Sequence, residues 1–378
     1  MKLAKLVIRN LLRRPGRTLL SVGGVASAMG LFVLVDSLSL GLDRALASGD
    51  AARTLIVYRK NRYCPQTSFL PEWYAGRIGE LDGVESVLPV KVFLNNCRAS
   101  LDLIAFQGTP VDALLAARPV ELVEGDLERF RSEPDAALVG RDFALRKGLS
   151  VGDSFRFGGI DVKVRGIFAS PEAVEESLVL THLEFLQRAG PVSRLGTVTQ
   201  FEVRVADASR AAAVADAIDA LFATAEEPTD TRPEVAYLEG ATRDLREILR
   251  FGRLLGLACV LVVLALVANT VFMSVQERAR EFGVFRTFGF RERHVVGMVL
   301  AEAVGLAVAG AALGLGGALL LLRTTHLAIG SEGVTVGFAA PPELFLRGFA
   351  VALAAGVLAG LVPAVLSGRA PIAPALRA

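Results

Sequence analysis

Residues Asn269 to Glu302 read NTVFMSVQERAREFGVFRTFGFRERHVVGMVLAE. The stretch starts inside one long apolar run, crosses a segment dense in arginine and glutamate, and re-enters another apolar run. Two membrane spans flanking a charged elbow account for that order, since a span takes about 20 apolar residues. The elbow charges are Glu277, Arg278, Arg280, Glu281, Arg286, Arg291, Glu292 and Arg293. Mixed signs at i, i+3 and i+4 favour a solvated helix over an unstructured loop. Phe282, Phe285 and Phe288 recur every third residue and set a bulky apolar stripe on that helix, with Gly289 as its stop. Such a helix either rests on the bilayer as a plain turn or fills a groove on another protein.

Outward from the elbow, four apolar segments reach spanning length: Thr18–Leu42, Leu254–Gln276, Val295–Leu322 and Phe349–Ser367. The first carries only Asp36 and the third only Glu302. The chain of 378 residues is 52% hydrophobic yet 21% charged, with a mean hydropathy of +0.48. That mixture fits spans plus a large water-soluble part. A net charge of +2 predicts no nucleic-acid partner. Lys2, Lys5, Arg9, Arg13, Arg14 and Arg17 precede the first span without an acidic residue, and the elbow and the tail (Arg369, Arg377) also lean basic. By the bias of basic residues in short flanks, both termini and the elbow are expected in the cytoplasm.

Residues 1–17 place Leu3, Leu6, Val7 and Leu11 on one helical face and Lys2, Lys5, Arg9 and Arg13 largely on the other. An interfacial helix on anionic membrane lipid has this look, and so does a plain basic flank. Ala26-Ser27-Ala28 resembles a signal cleavage site, but apolar sequence continues to Leu42, so an uncleaved anchor is expected. Asp36, near the outer end, reads as a polar end of the span. Glu302 needs a cationic partner, from the elbow or a neighbouring chain, because an unpaired carboxylate in a span is costly. Gly310-x-x-x-Gly314 and Gly356-x-x-x-Gly360 permit close helix contacts, within the chain or across a dimer.

The large region between the first two spans, residues 43–245, is expected outside the membrane as an α+β domain. Leu55–Tyr58, a helix near Glu72–Leu81 and Val84–Leu94 form one β-α-β half; Thr199–Val205, a helix over Ser209–Ala223 and a strand at Glu234–Leu238 form the other. Between them, about 110–190, a small β subdomain is expected, with Gly158-Gly159 as a hairpin turn. Cys64 and Cys97 fall in this domain and are candidates for a disulfide. His182, His294 and His326 have no metal-binding spacing. Thr242–Phe251, free of proline and glycine clusters, predicts a stalk helix running into the second span.

Ser274–Phe290 (SVQERAREFGVFRTFGF), followed by Ala301-Glu302-Ala303, resembles the MacB/FtsX/LolC-type ABC transporter permeases. Leu6–Thr18 (LVIRNLLRRPGRT) and Gly360–Arg377 (GLVPAVLSGRAPIAPALR) are similar to the start and end of the same family; Phe282 and Phe285 depart from its smaller or aliphatic residues. The resemblance implies an α-helical membrane protein with four transmembrane helices plus an extracytoplasmic α+β domain of porter-like βαβ halves and an inserted β subdomain. It also implies a coupling helix over 277–294, with Glu277, Arg278, Glu281, Phe282, Gly283, Phe285, Arg286 and Gly289 seated on a cytoplasmic ABC-type ATPase subunit. No G-x-x-x-x-G-K-[ST] occurs in the sequence, so ATP and Mg are expected on that partner and catalysis is not expected in this chain. The implied function is a non-catalytic permease subunit in the bacterial inner membrane. It would pair with a second copy or paralogue and with a periplasmic adaptor or substrate-binding protein, and export or extract an envelope or lipophilic substrate. The alternatives are an FtsX-like regulator of a periplasmic cell-wall hydrolase and an ATP-independent receptor or scaffold.

Overall fold

The computed structural model describes residues 13–46, 53–62, 67–94, 103–118, 120–170, 174–325, 327–331 and 334–369. Cys64 and Cys97 lie outside the described residues, so the structure does not address their pairing. The chain divides into two compact units. One comprises Met1–Leu38, Ile248–Thr324 and Ala339–Ala378; the other comprises Ser39–Glu247 and Thr325–Phe338.

The first helix, α1, runs Pro15–Leu46. Proline suits its first position because that N–H has no intrahelical acceptor. In the second unit the elements that follow are β1 (Thr54–Arg59), β2 (Leu70–Pro71), α2 (Tyr74–Gly79), β3 (Val84–Leu94), β4 (Ala105–Thr109) and α3 (Val111–Ala117). Then come β5 (Glu121–Gly125), α4 (Leu127–Ser132), β6 (Ala136–Gly140), α5 (Arg141–Lys147), β7 (Ser154–Phe157), β8 (Ile160–Ala169) and β9 (Val179–His182). The unit continues through α6 (Leu183–Arg188), β10 (Thr197–Val198), β11 (Gln200–Val205), α7 (Ala211–Leu221), β12 (Thr229–Pro233) and α8 (Glu234–Ala241).

The two halves interleave in one antiparallel array, β12-β1-β11-β3. Alternation in β11 sends Phe201, Val203 and Val205 into a core closed by α2 and α7, where Tyr74 stacks on Phe222 at 3.9 Å. The inserted strands extend the same sheet through β4, β9, β6, β8 and β5, with β7 paired to β8. Gly158 and Gly159, at φ +61° and +86°, join Phe157 to Ile160 in a two-residue turn. Only a residue tolerant of positive φ fits both places of a type I′ turn.

One expected strand is corrected. Glu234–Leu238 belongs to helix α8, and the edge position beside β1 is taken by the preceding residues TDTRP. The threonine side chains of that strand are satisfied by α7: Thr229 Oγ1 and Thr231 Oγ1 donate to Asp219 at 2.8 and 2.7 Å. Pro233 is tolerated at the end of an edge strand, and from there it leads into the first turn of α8.

Four helices and a two-stranded hairpin follow α8. Helix α9 (Arg243–Glu277) is continuous over 35 residues, so no linker separates the stalk sequence from the second apolar segment. Helices α10 (Ala279–Thr287) and α11 (Glu292–Thr325), the hairpin β13 (Ala328–Ser331) and β14 (Val334–Gly337), and α12 (Pro342–Arg369) follow. The hairpin falls in the connection between the third and fourth apolar segments. Helices α1, α9, α11 and α12 are each long and apolar enough to cross a membrane.

The small-residue stripes act within the chain. A Cβ on Gly310 would meet Val25 Cβ at 2.4 Å, and one on Gly314 would meet the Ala26 carbonyl at 2.3 Å. Helices α1 and α11 therefore approach with their backbones nearly in contact. Gly356 and Gly360 seat against Ala307 and Ala303 in the same way. Ser21 and Thr270 share a hydroxyl hydrogen bond of 2.9 Å between α1 and α9.

Candidate functional site

The charged elbow begins where α9 ends at Glu277. Arg278 turns the chain, and its carbonyl accepts from Phe282 N at 3.0 Å as α10 starts. At the other end, Phe290 N donates to Phe285 O at 3.1 Å and Gly289 takes φ +85°. The rings of Phe285 and Phe290 meet at 5.6 Å. That is a Schellman cap with its apolar contact, which a glycine in the left-handed region makes possible.

Arg278 organises the inner side of the elbow. Its Nη1 donates to Glu302 Oε1 and Oε2 at 3.1 and 3.3 Å, and its Nε donates to Glu281 at 3.1 Å. The Arg278 and Glu302 side chains are 10% and 7% exposed. The guanidinium also lies 5.0 Å from the centre of the Phe282 ring. One side chain thus ties the end of α9 to α10 and to α11, and the cation that Glu302 required comes from the elbow of the same chain.

A second layer comes from the base of α1. Arg13 donates to Glu281 at 2.8 Å, while Arg14 and Arg17 hold Glu277 at 2.8 and 2.9 Å. The hydrogen bond from Arg13, joined by Arg278, keeps the Glu281 carboxyl below its ordinary pKa against the opposing effect of burial. Around these groups lies a cavity of about 330 Å³ lined by all four arginines and by Glu277, Glu281 and Glu302.

The phenylalanine stripe is divided by the structure. Residues three apart on an α-helix drift by about 60° per step, so the three rings cannot share one face. Phe282 is 4% exposed, Phe285 is half-buried, and Phe288, just past the helix end, is 79% exposed. Gly283 is buried. The outward surface is made instead by Val284, Phe288 and Phe290 with the exposed Arg280 and Arg291. Arg286 lies in α10, but its side chain is outside the described residues. Asp36 is half-buried in α1 and belongs to no part of this cluster.

Residues 253–372 match the FtsX-like permease C-terminal family, and residues 18–221 match the MacB-like periplasmic core domain family. The second match alone covers more than half of the chain. The chain belongs to the family of FtsX-like permeases with a MacB-like periplasmic core. It is a membrane-spanning permease of the ABC transporter class, and its α+β unit is the periplasmic core domain.

Among curated relatives, the permease is 39% identical over 103 residues to the pyoverdine export ATP-binding/permease protein PvdT of Pseudomonas fluorescens, a stretch that is 27% of this chain and 15% of that one. It is 37% identical over 98 residues to the macrolide export ATP-binding/permease protein MacB of Shigella boydii, covering 26% of this chain and 14% of the relative. The permease therefore spans less than a fifth of the length of these relatives. Among solved structures, the periplasmic region of MacB from Actinobacillus actinomycetemcomitans aligns with 50% of this chain and 94% of its own, at 9% identity and a TM-score of 0.36.

Proposed function

We propose that the permease transmits the motion of a separate cytoplasmic ABC-type ATPase, which binds ATP and Mg, to its periplasmic domain, driving export or extraction of an envelope or lipophilic substrate. The observation that carries this reading is the two-sided elbow. Its inner side is fixed by Arg278 to α11 and by Arg13 to α1, while Val284, Phe288 and Phe290 face outward. A helix held this way moves as a body with the spans when its outer side is pushed. Exposed aromatics ringed by arginines are also the residue types enriched at protein interfaces.

On this reading the elbow and both termini are cytoplasmic, the membrane is the bacterial inner membrane, and hydrolysis occurs in the partner rather than here. A second copy or paralogue completes the membrane unit, and a periplasmic adaptor or substrate-binding protein meets the core domain. The names of PvdT and MacB, both export ATP-binding/permease proteins, favour export over regulation of a cell-wall hydrolase.

The test is purification of tagged permease from its native host in mild detergent, with and without Phe288→Glu. Phe288 makes the cleaner probe than Glu281, whose reversal would break its bonds to Arg13 and Arg278. Wild type is expected to bring down a P-loop ATPase in stoichiometric amount, and the variant to lose it at unchanged thermal stability. An ATPase retained by the variant, or none with wild type, would sink the docking assignment.

A further inference from the structure

The cavity behind the elbow has chemistry that transmission does not use. Four guanidiniums, those of Arg13, Arg14, Arg17 and Arg278, face three carboxylates in about 330 Å³, so the lining keeps one uncompensated positive charge. The donors are also incompletely spent. Among the described residues, Arg13 and Arg17 each donate to their carboxylate through one nitrogen, whereas a guanidinium carries five N–H donors in a fork that matches phosphate oxygens. The hydroxyl of Ser274 adds a neutral donor to the same wall.

The lining also includes the apolar side chains of Val271 and Leu306. Immediately next to the cavity residues, Leu19 and Leu20 of α1 are 72% and 76% exposed, and Phe272 and Met273 of α9 also face outward. A charged chamber whose lining residues adjoin exposed apolar side chains in the sequence of two spans fits an amphiphile with a phosphate at its head. The lone excess charge matches a monoanionic phosphodiester, and a dianion would overcompensate it.

From this geometry we infer that the cavity binds the phosphodiester headgroup of an anionic phospholipid, with Arg14 and Arg17 as its principal donors and the acyl chains laid along Leu19, Leu20 and Phe272. The assignment rests on the permease lying in a membrane with the elbow at its surface; it does not require an ATPase. Because Arg14 and Arg17 also hold Glu277, the bound lipid would share the contacts that fix the elbow to α1.

The test is native mass spectrometry of the full-length permease exchanged into equal mixtures of phosphatidylglycerol and phosphatidylcholine. Wild type is expected to retain one phosphatidylglycerol per chain in at least about tenfold preference. The double variant Arg14→Gln/Arg17→Gln should lose that preference, and Arg323→Gln, in the last turn of α11, should keep it. An unfolding temperature close to wild type for the double variant shows that it still folds. Equal retention of the two lipids, or an undiminished preference in the double variant, would overturn the site. Displacement of phosphatidylglycerol by millimolar inorganic phosphate would assign the arginines to a free phosphate and overturn the lipid. None of these outcomes depends on whether Phe288→Glu releases an ATPase, so the two assignments fail separately.

Discussion

Replacing Arg278 by methionine should be the most damaging single change at the elbow, and replacing Glu302 with it should undo most of the damage. With Arg278→Met, the Glu302 carboxylate stays 7% exposed and has no other cation within ion-pair distance among the described residues. Removing one partner of a buried pair costs about 3–5 kcal/mol. Glu302→Gln is milder, because Arg278 keeps Glu281 at 3.1 Å and the Phe282 ring at 5.0 Å. The loss there is that of a charged hydrogen bond, about 1.5–3 kcal/mol. In Arg278→Met/Glu302→Leu neither charge remains, and apolar replacement of a buried pair is close to neutral.

The assay is the fraction of detergent-solubilised permease that remains monodisperse after heating, at one fixed heating rate because such unfolding is irreversible. At about 2–4 °C per kcal/mol, Arg278→Met should lower the midpoint by about 6–20 °C, Glu302→Gln by less, and the double variant by about 2 °C at most. A double variant no better than Arg278→Met would refute the reasoning. The elbow would then be held by the packing of Phe282 rather than by the pair.

Two further predictions concern other parts of the chain. Lys91 on β3 donates to Thr197 O and Oγ1 at 3.1 and 3.0 Å, and burial, with Arg194 nearby, lowers its pKa from 10.5 to about 8. Between those values the unfolded chain holds the proton that the folded one has lost, so stability should rise with pH from about 8 towards 10.5. The melting midpoint of wild type should rise relative to that of Lys91→Met across this range, and parallel curves would contradict the assignment. In α11, Gly314→Ala should lower the unfolding midpoint, since its Cβ would sit 2.3 Å from the Ala26 carbonyl and overpacking costs about 1–3 kcal/mol. Gly316→Ala meets nothing within 4 Å and should instead raise it, by the helix preference of about 1 kcal/mol; equal effects at the two positions would mean that α1 and α11 are not in backbone contact.

The spans, the elbow and the β-α-β halves were legible because each follows from a local rule. Apolar length marks the spans, charge spacing and Gly289 bound α10, and alternation marks β11. What escaped the sequence is non-local or polar. Arg13 and Glu281 stand 268 positions apart and Arg17 and Glu277 stand 260 apart, so no periodicity joins them, although the same arginines were visible as a basic flank. The strand β12 was hidden because its stability comes from threonine hydroxyls bonded to Asp219 rather than from apolar alternation. The exposed patch of the elbow differs from the phenylalanine stripe for a geometric reason: a spacing of three residues looks like a face over one turn and has rotated away from it by the next.

The pair at the centre of the elbow is a poor choice if its purpose is stability alone, since apolar residues of similar size would hold the helices as well. An apolar contact, however, tolerates sliding and rotation, whereas Arg278 satisfies Glu281 and Glu302 through different nitrogens in one arrangement of α9, α10 and α11. Position and stability therefore separate in Arg278→Met/Glu302→Leu. If the pair fixes position, that variant recovers its melting midpoint, still binds the proposed ATPase partner, and yet leaves ATP turnover insensitive to changes imposed on the periplasmic domain. Coupling restored together with stability would mean that packing alone positions the elbow, and the ion pair would then have no part in transmission.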